Sequence, residues 1–164
     1  MGDLASRVDS VLVLPEDGRQ SPVALAVQRG VRRLFAGLGQ VTVTELTLAS
    51  GRRADVVALA PDGRITVVEV KSCLADFRTD GKWQDYRAYC DRLFFAVTDD
   101  FPQEVLPEAT GLIVADQYGA AMLREAPLHP LPGARRKEVT LRFARAAASR
   151  LHAAFDPEGA RGII

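Results

Sequence analysis

The run Ile65-Thr66-Val67-Val68-Glu69-Val70-Lys71 constrains this chain more than any other segment. It is β-branched apart from its charged end, so it reads as a strand buried on both faces. Charged groups are costly in such a place unless paired or bound to a metal. Just upstream, Arg53-Ala54-Asp55-Val56-Val57-Ala58-Leu59 reads as a second strand, joined through a Pro61-Asp62-Gly63 turn. Taken as a three-residue hairpin loop with Gly63 in the left-handed position, that turn sets Asp55 opposite Glu69. Their Cβ atoms would then lie roughly 5 Å apart on one face. Side chains alternate along a strand, so Lys71 shares that face with Glu69. A two-residue Asp62-Gly63 loop would instead turn Asp55 to the opposite face, so the site depends on the longer loop.

Two acids and an amine gathered at the mouth of a buried hairpin suit a hard cation such as Mg2+ (or Mn2+), held by one or two carboxylates plus water. Such a site points to phosphodiester chemistry. The plainer reading is an exposed strand end with a surface ion pair, worth at most ~1 kcal/mol. Asp80-Gly81-Lys82 carries the same short pattern but follows no apolar strand.

At 164 residues the chain is expected to form a single domain, spanning residues 1–164, with a substantial core. Nearly half of its residues are apolar and its formal net charge is zero. Any attraction to nucleic acid must therefore come from local patches rather than from a blanket positive field. Cys73 and Cys90 lie outside zinc-type spacing and no secretory signal precedes them, which predicts reduced thiols and a cytoplasmic protein. No apolar run approaches the ~18 residues that would span a bilayer, so no membrane partner is expected.

Residues 1–20 are weakly patterned, with Val11-Leu12-Val13-Leu14 packing locally before a Pro15-Glu16-Asp17-Gly18 turn. Ser21 as N-cap and Pro22 at the first position start a helix that Gly39 closes. Its apolar stripe is Ala24, Val27, Val31, Leu34 and Leu38. Val41 to Leu48 alternates like a strand ending at Ser50-Gly51. Beyond the hairpin, Asp76 to Tyr89 reads as one helix with Trp83, Tyr86 and Cys90 inward, weakened at Gly81. Leu93 to Val97 is a buried strand, and Thr98 to Thr110 an acidic loop. Leu112 to Ala115 and Ala121 to Leu123 are strands joined through Tyr118-Gly119. Ala134 to Phe155 is a closing helix followed by a frayed tail. The order predicts an α/β fold with a mixed central sheet flanked by helices. Between Gly133 and Leu151 stand six basic residues and one acid, either a footprint for a phosphate backbone or a charged outer helix face.

The spacing Asp55-x13-Glu69-x-Lys71 on this element order resembles the PD-(D/E)xK nuclease superfamily, the restriction-endonuclease-like fold. A set of blocks resembles, more narrowly, the MmcB family of bacterial DNA repair proteins. They are Gly18-Arg19-Gln20 through Arg29-Gly30-Val31-Arg32-Arg33, Glu45 to Asp55, Glu69-Val70-Lys71-Ser72 and Asp76-Phe77-Arg78. Lys82-Trp83-Gln84-Asp85-Tyr86, Cys90 to Val97 and Gly111 to Asp116 complete the set. The likeness runs over about residues 17–126.

The resemblance implies that Asp55, Glu69 and the carbonyl of Val70 bind Mg2+ or Mn2+, and that Lys71 orients or activates the attacking water. It implies a substrate contact from Gln84; Arg53, beside Asp55, either binds phosphate or neutralises the acids, and Lys82 and Gln84 either contact nucleic acid or form a solvated helix face. Many superfamily members carry a first-helix glutamate, yet Ser21 to Gly39 holds no acid; Glu45 either substitutes as a ligand or balances Arg52 or Arg53. The four-residue glutamine-to-tyrosine spacing common on the later helix is not met from Gln84. The function so implied is metal-dependent hydrolysis of DNA in repair. The alternatives are a non-catalytic factor that binds DNA structures on the same fold, or a protein-interaction domain. DNA and other repair proteins are the implied partners; a homodimer is common in the superfamily, though no apolar seam here compels one.

Overall fold

The structure, a computed structural model, describes residues 18–159, so the Val11–Leu14 run lies outside the described residues. One six-stranded sheet organises them, in the order β1 (Val41–Thr47), β2 (Arg53–Leu59), β3 (Ile65–Val70), β4 (Arg92–Val97), β5 (Gly111–Ala115), β6 (Ala120–Arg124). The first three strands form an antiparallel meander, β3, β4 and β5 run parallel, and β6 returns antiparallel. This is the expected α/β architecture: a mixed sheet flanked by helices, consistent with a restriction-endonuclease-like fold.

The hairpin has the longer loop. Ala60 and Arg64 close it, the Ala60 amide donating to the Arg64 carbonyl at 2.9 Å, and Gly63 takes φ 86°. An L-residue with a Cβ would be strained there, so glycine is what permits this turn. Val56 pairs with Val68 and Leu59 with Ile65, the register that makes Asp55 and Glu69 opposite numbers.

Helix α1 (Pro22–Gly37) starts as expected, the Ser21 hydroxyl accepting from the Ala24 amide at 3.1 Å. It lies on one face of the sheet, where Val27, Val31 and Phe35 pack against Val56, Ala58, Val68, Phe94 and Ile113. Leu38 does not join the stripe; at the C-cap the chain has left the helix, and the side chain stays exposed while Phe35 fills the core. Gly30 lets α1 sit close to the β5–β6 turn: a Cβ there would meet the Asp116 carbonyl oxygen at 2.2 Å.

The opposite face is covered by helix α3 (Gly133–Phe155) and by a 3-10 segment, Trp83–Tyr89. Val139, Phe143, Tyr86 and Tyr89 pack there on Val43, Val57, Val67 and Leu93. Farther along, Phe95 receives the ring edges of Phe77 and Trp83, with centroids 5.5 and 5.9 Å away. The single helix expected over Asp76–Tyr89 is two pieces: a short α2 (Leu74–Thr79) and the 3-10 segment, separated at Asp80-Gly81. Gly81 weakens helix there, and Asp80 is committed to tertiary partners instead. Cys90 is a core residue whose thiol burial pushes up to about 12. After α3 the chain turns at Asp156 to Gly159, whose amide donates to the Asp156 carboxylate.

Asp91, at the start of β4, is the polar keystone of the fold. Only 1 % of its side chain is exposed, and it accepts from the amides of Ile65 and Leu131, both at 2.8 Å. Arg136 of α3 closes the node with two bonds, of 2.6 and 2.7 Å. The other α3 arginines are similarly occupied. Arg135 pairs with Glu138 and stacks over Tyr89, and Arg142 pairs with Glu138 and reaches the Thr47 carbonyl. Arg150 grips the carbonyls of Thr44 and Glu45 on β1. Of the six basic residues, three therefore fasten the helix to the sheet and Arg135 to the 3-10 segment, and the expected phosphate footprint shrinks to Lys137 and Arg145.

Candidate active site

The β2–β3 ladder stops one rung short of Asp55 and Glu69, and side chains take over from backbone. The Asp55 amide donates to the Glu69 carboxylate at 3.3 Å. The Val70 amide donates in turn to the Asp55 carboxylate at 2.7 Å. On its other side β2 also loses a rung: the β1 pairing skips Glu45 and Asp55, then resumes in the same register. Glu45 takes φ 51° at that point, the single positive φ among the described non-glycine residues. The turn it makes lets two consecutive β1 carbonyls face Arg150, which regular strand alternation forbids. Asp55 thus sits where the sheet parts on both flanks, and two side-chain carboxylates, its own and that of Glu69, stitch β2 to β3 through backbone amides.

Electrostatics make this pair unusual. Glu69 is 3 % exposed. Burial and then the Asp55 charge push its carboxyl well above the usual range, against the pull of Lys71. Asp55 is raised as well, by burial, although the Val70 amide, Lys71 and Arg53 offset part of the rise. Tyr86 lies against the pair, its hydroxyl donating to the Arg53 carbonyl at 3.1 Å. Burial, Glu69 and Asp55 all raise its phenol. Two neighbouring carboxylates that each resist ionisation form a site that an added cation would stabilise.

Lys71 is buried beside them, but its ammonium bonds Asp80 at 2.6 Å. Asp80 is the residue whose importance sequence reasoning set aside. It follows α2, in coil, so no strand pattern marks it. Arg53 stands near Asp55 and pairs with Glu45 at 2.5 Å, and Gln20 donates to the same Glu45 carboxylate. The ion pair with Arg53 is one of the two roles read for Glu45. Arg52 pairs with Asp85 at 3.0 Å. Lys82, on the turn after Asp80, and Gln84, in the 3-10 segment, are exposed, and neither side chain hydrogen-bonds Asp55, Glu69 or Lys71. Gln28, buried on α1, was also missed; its amide reaches the Asp55 carbonyl at 3.4 Å. A glutamine next to Val27 in an apolar helix stripe is the signal that could have marked it.

The donor set fits a magnesium-type ion. Each carboxylate spends one oxygen on a backbone amide and keeps the other without a hydrogen bond among the described residues. A hard cation that retains most of its water needs no more than one or two carboxylates. Among the described residues no group of three or more His, Cys, Asp or Glu side chains converges as in a closed cage of the zinc or calcium kind.

The model of the MmcB-like family, described as DNA repair protein MmcB-like, matches residues 13–158, and the chain belongs to that family. A solved structure, the SPO1766 protein of unknown function from Silicibacter pomeroyi, is similar at 47 % identity with a TM-score of 0.82. The match covers 86 % of this chain and 96 % of that one. No curated protein matches. Among the described residues no helix is long and apolar enough to cross a membrane.

Proposed function

We propose that this member of the MmcB-like DNA repair family is a PD-(D/E)xK nuclease that hydrolyses DNA phosphodiester bonds with Mg2+ or Mn2+. The observation that carries the reading is the interlocked Asp55–Glu69 pair, buried and resistant to ionisation, with Lys71 beside it. Asp55 and Glu69 hold the cation, with the Val70 carbonyl as a third donor. The chemistry the cation supplies when bound is neutralisation of phosphate charge and a more acidic attacking water. Lys71 orients that water and offsets negative charge developing on the phosphoryl oxygens. The water oxygen forms the new bond to phosphorus, the bond from phosphorus to the leaving sugar oxygen breaks, and that oxygen takes a proton. Arg53, already next to Asp55, contacts a phosphate flanking the scissile one; Lys82 and Gln84, exposed past Asp80, contact the strand farther out.

The second reading is a factor that binds DNA structures without cutting them. It is favoured by the diversion of Lys71 to Asp80. One experiment separates the two. Purified protein is incubated with branched, nicked, single-stranded and duplex DNA, with and without Mg2+ or Mn2+, alongside Asp55→Asn and Lys71→Ala. Metal-dependent products lost in both variants are expected. Retained DNA binding with no product on any substrate would replace the nuclease reading with the binding factor. Absence of both binding and cleavage would favour a protein-interaction domain.

A further inference from the structure

We infer that Asp80 is a positioning residue for the cation site: by holding the Lys71 ammonium, it keeps Lys71 off Asp55 and Glu69 and leaves their carboxylates for the cation. The inference rests on the cation site proposed above and goes beyond it. Lys71 shares a face with Glu69, is buried, and its charge is felt at both carboxylates. Without another acceptor, an ammonium enclosed there turns to the nearest carboxylate oxygens, the same oxygens a cation needs. Asp80 removes that competition by taking the ammonium at 2.6 Å.

The placement of Asp80 is suited to the task. It ends α2, its amide bonding the Phe77 carbonyl at 3.2 Å, and the break before the 3-10 segment aims it back under β3. Its second oxygen accepts from the Lys82 amide at 3.4 Å. One carboxylate thus ties the turn that carries Lys82 and Gln84 to the amine of the site. The cation-binding pair and the outer substrate contacts are held in one arrangement by a residue that touches neither DNA nor metal.

The test is a double-mutant cycle read by calorimetry with Mn2+ on the full chain: wild type, Asp80→Asn, Lys71→Ala and the double variant, with thermal melts to verify folding. Asp80→Asn is expected to weaken Mn2+ binding roughly tenfold, because the released ammonium now sits on the cation's ligands. Asp80→Glu, which keeps an acceptor for Lys71, should restore most of the affinity. In the Lys71→Ala background, Asp80→Asn should change affinity by no more than about threefold, the direct effect of the Asp80 charge that both carboxylates feel, since no amine remains to be held. A tenfold loss that persists without Lys71 would make Asp80 a ligand and overturn the inference. Unchanged affinity in Asp80→Asn on a binding-competent wild type would overturn it while leaving the cation site standing. A wild-type chain that takes up no Mn2+ would overturn both.

Discussion

Two buried acidic nodes stand near opposite ends of the parallel strands, and they are built on opposite principles. Asp91 is saturated: two amides and a two-pronged arginine surround it. Although burial alone would raise it, those bonds hold its carboxyl below the ordinary value. Asp55 and Glu69 are each given one amide and set beside one another, with the nearest ammonium drawn off to Asp80, and both carboxyls are raised. The first node is finished by the protein itself. The second is left wanting positive charge, as a binding site should be and a structural one should not.

The contrast breaks most easily at Asp91. Asp91→Ala strands Arg136 and two buried amides, and should cost about 3–5 kcal/mol in urea unfolding, the usual penalty for removing one partner of a buried pair. A loss below about 1 kcal/mol would make the node incidental.

The next effect is in the pH dependence of stability without metal, where the two nodes have opposite signs. Asp91, lowered on folding, contributes stability that is present above about pH 4 and lost as pH falls through its native value. Glu69, raised on folding, makes the native state bind more protons than the unfolded one, so stability falls as pH rises from about 4 toward its native value. Glu69→Gln should flatten that upper decline, and Mn2+ should raise the wild-type Tm more at pH 8 than at pH 5. A wild-type profile with no upper decline would contradict the asymmetry.

Tyr86→Phe should have the smallest effect. It removes the bond to the Arg53 carbonyl beside the unsatisfied pair and leaves Asp91 untouched, so about 1 kcal/mol in thermal unfolding is expected. A much larger loss would mean that the phenol also organises the carboxylates.

The hairpin was legible in the sequence because its register depends on local chemistry. One glycine able to adopt φ 86° fixes the loop length, and strand alternation then sets Asp55, Glu69 and Lys71 on one face. The buried character of β3 followed equally directly from its β-branched run. What escaped was decided over distance. Asp80 gains its meaning from a lysine in another element. Asp91, next to Arg92 at the head of an apolar run, gives no hint that Arg136 will reach it. The α3 arginines looked like a phosphate-binding stripe because composition cannot tell a cation facing solvent from one spent on a carbonyl about a hundred residues away. Glu45 is similar: nothing local demands a left-handed residue inside a strand, and the turn is held by Arg150 from the last helix.

That grip by Arg150 has a further consequence. β1 is an outer strand of the sheet, and outward carbonyls on such a strand are a template on which another chain can assemble by backbone pairing. With the Thr44 and Glu45 carbonyls capped by a guanidinium and the strand turned at Glu45, those two acceptors are withdrawn from edge-to-edge pairing in the middle of β1.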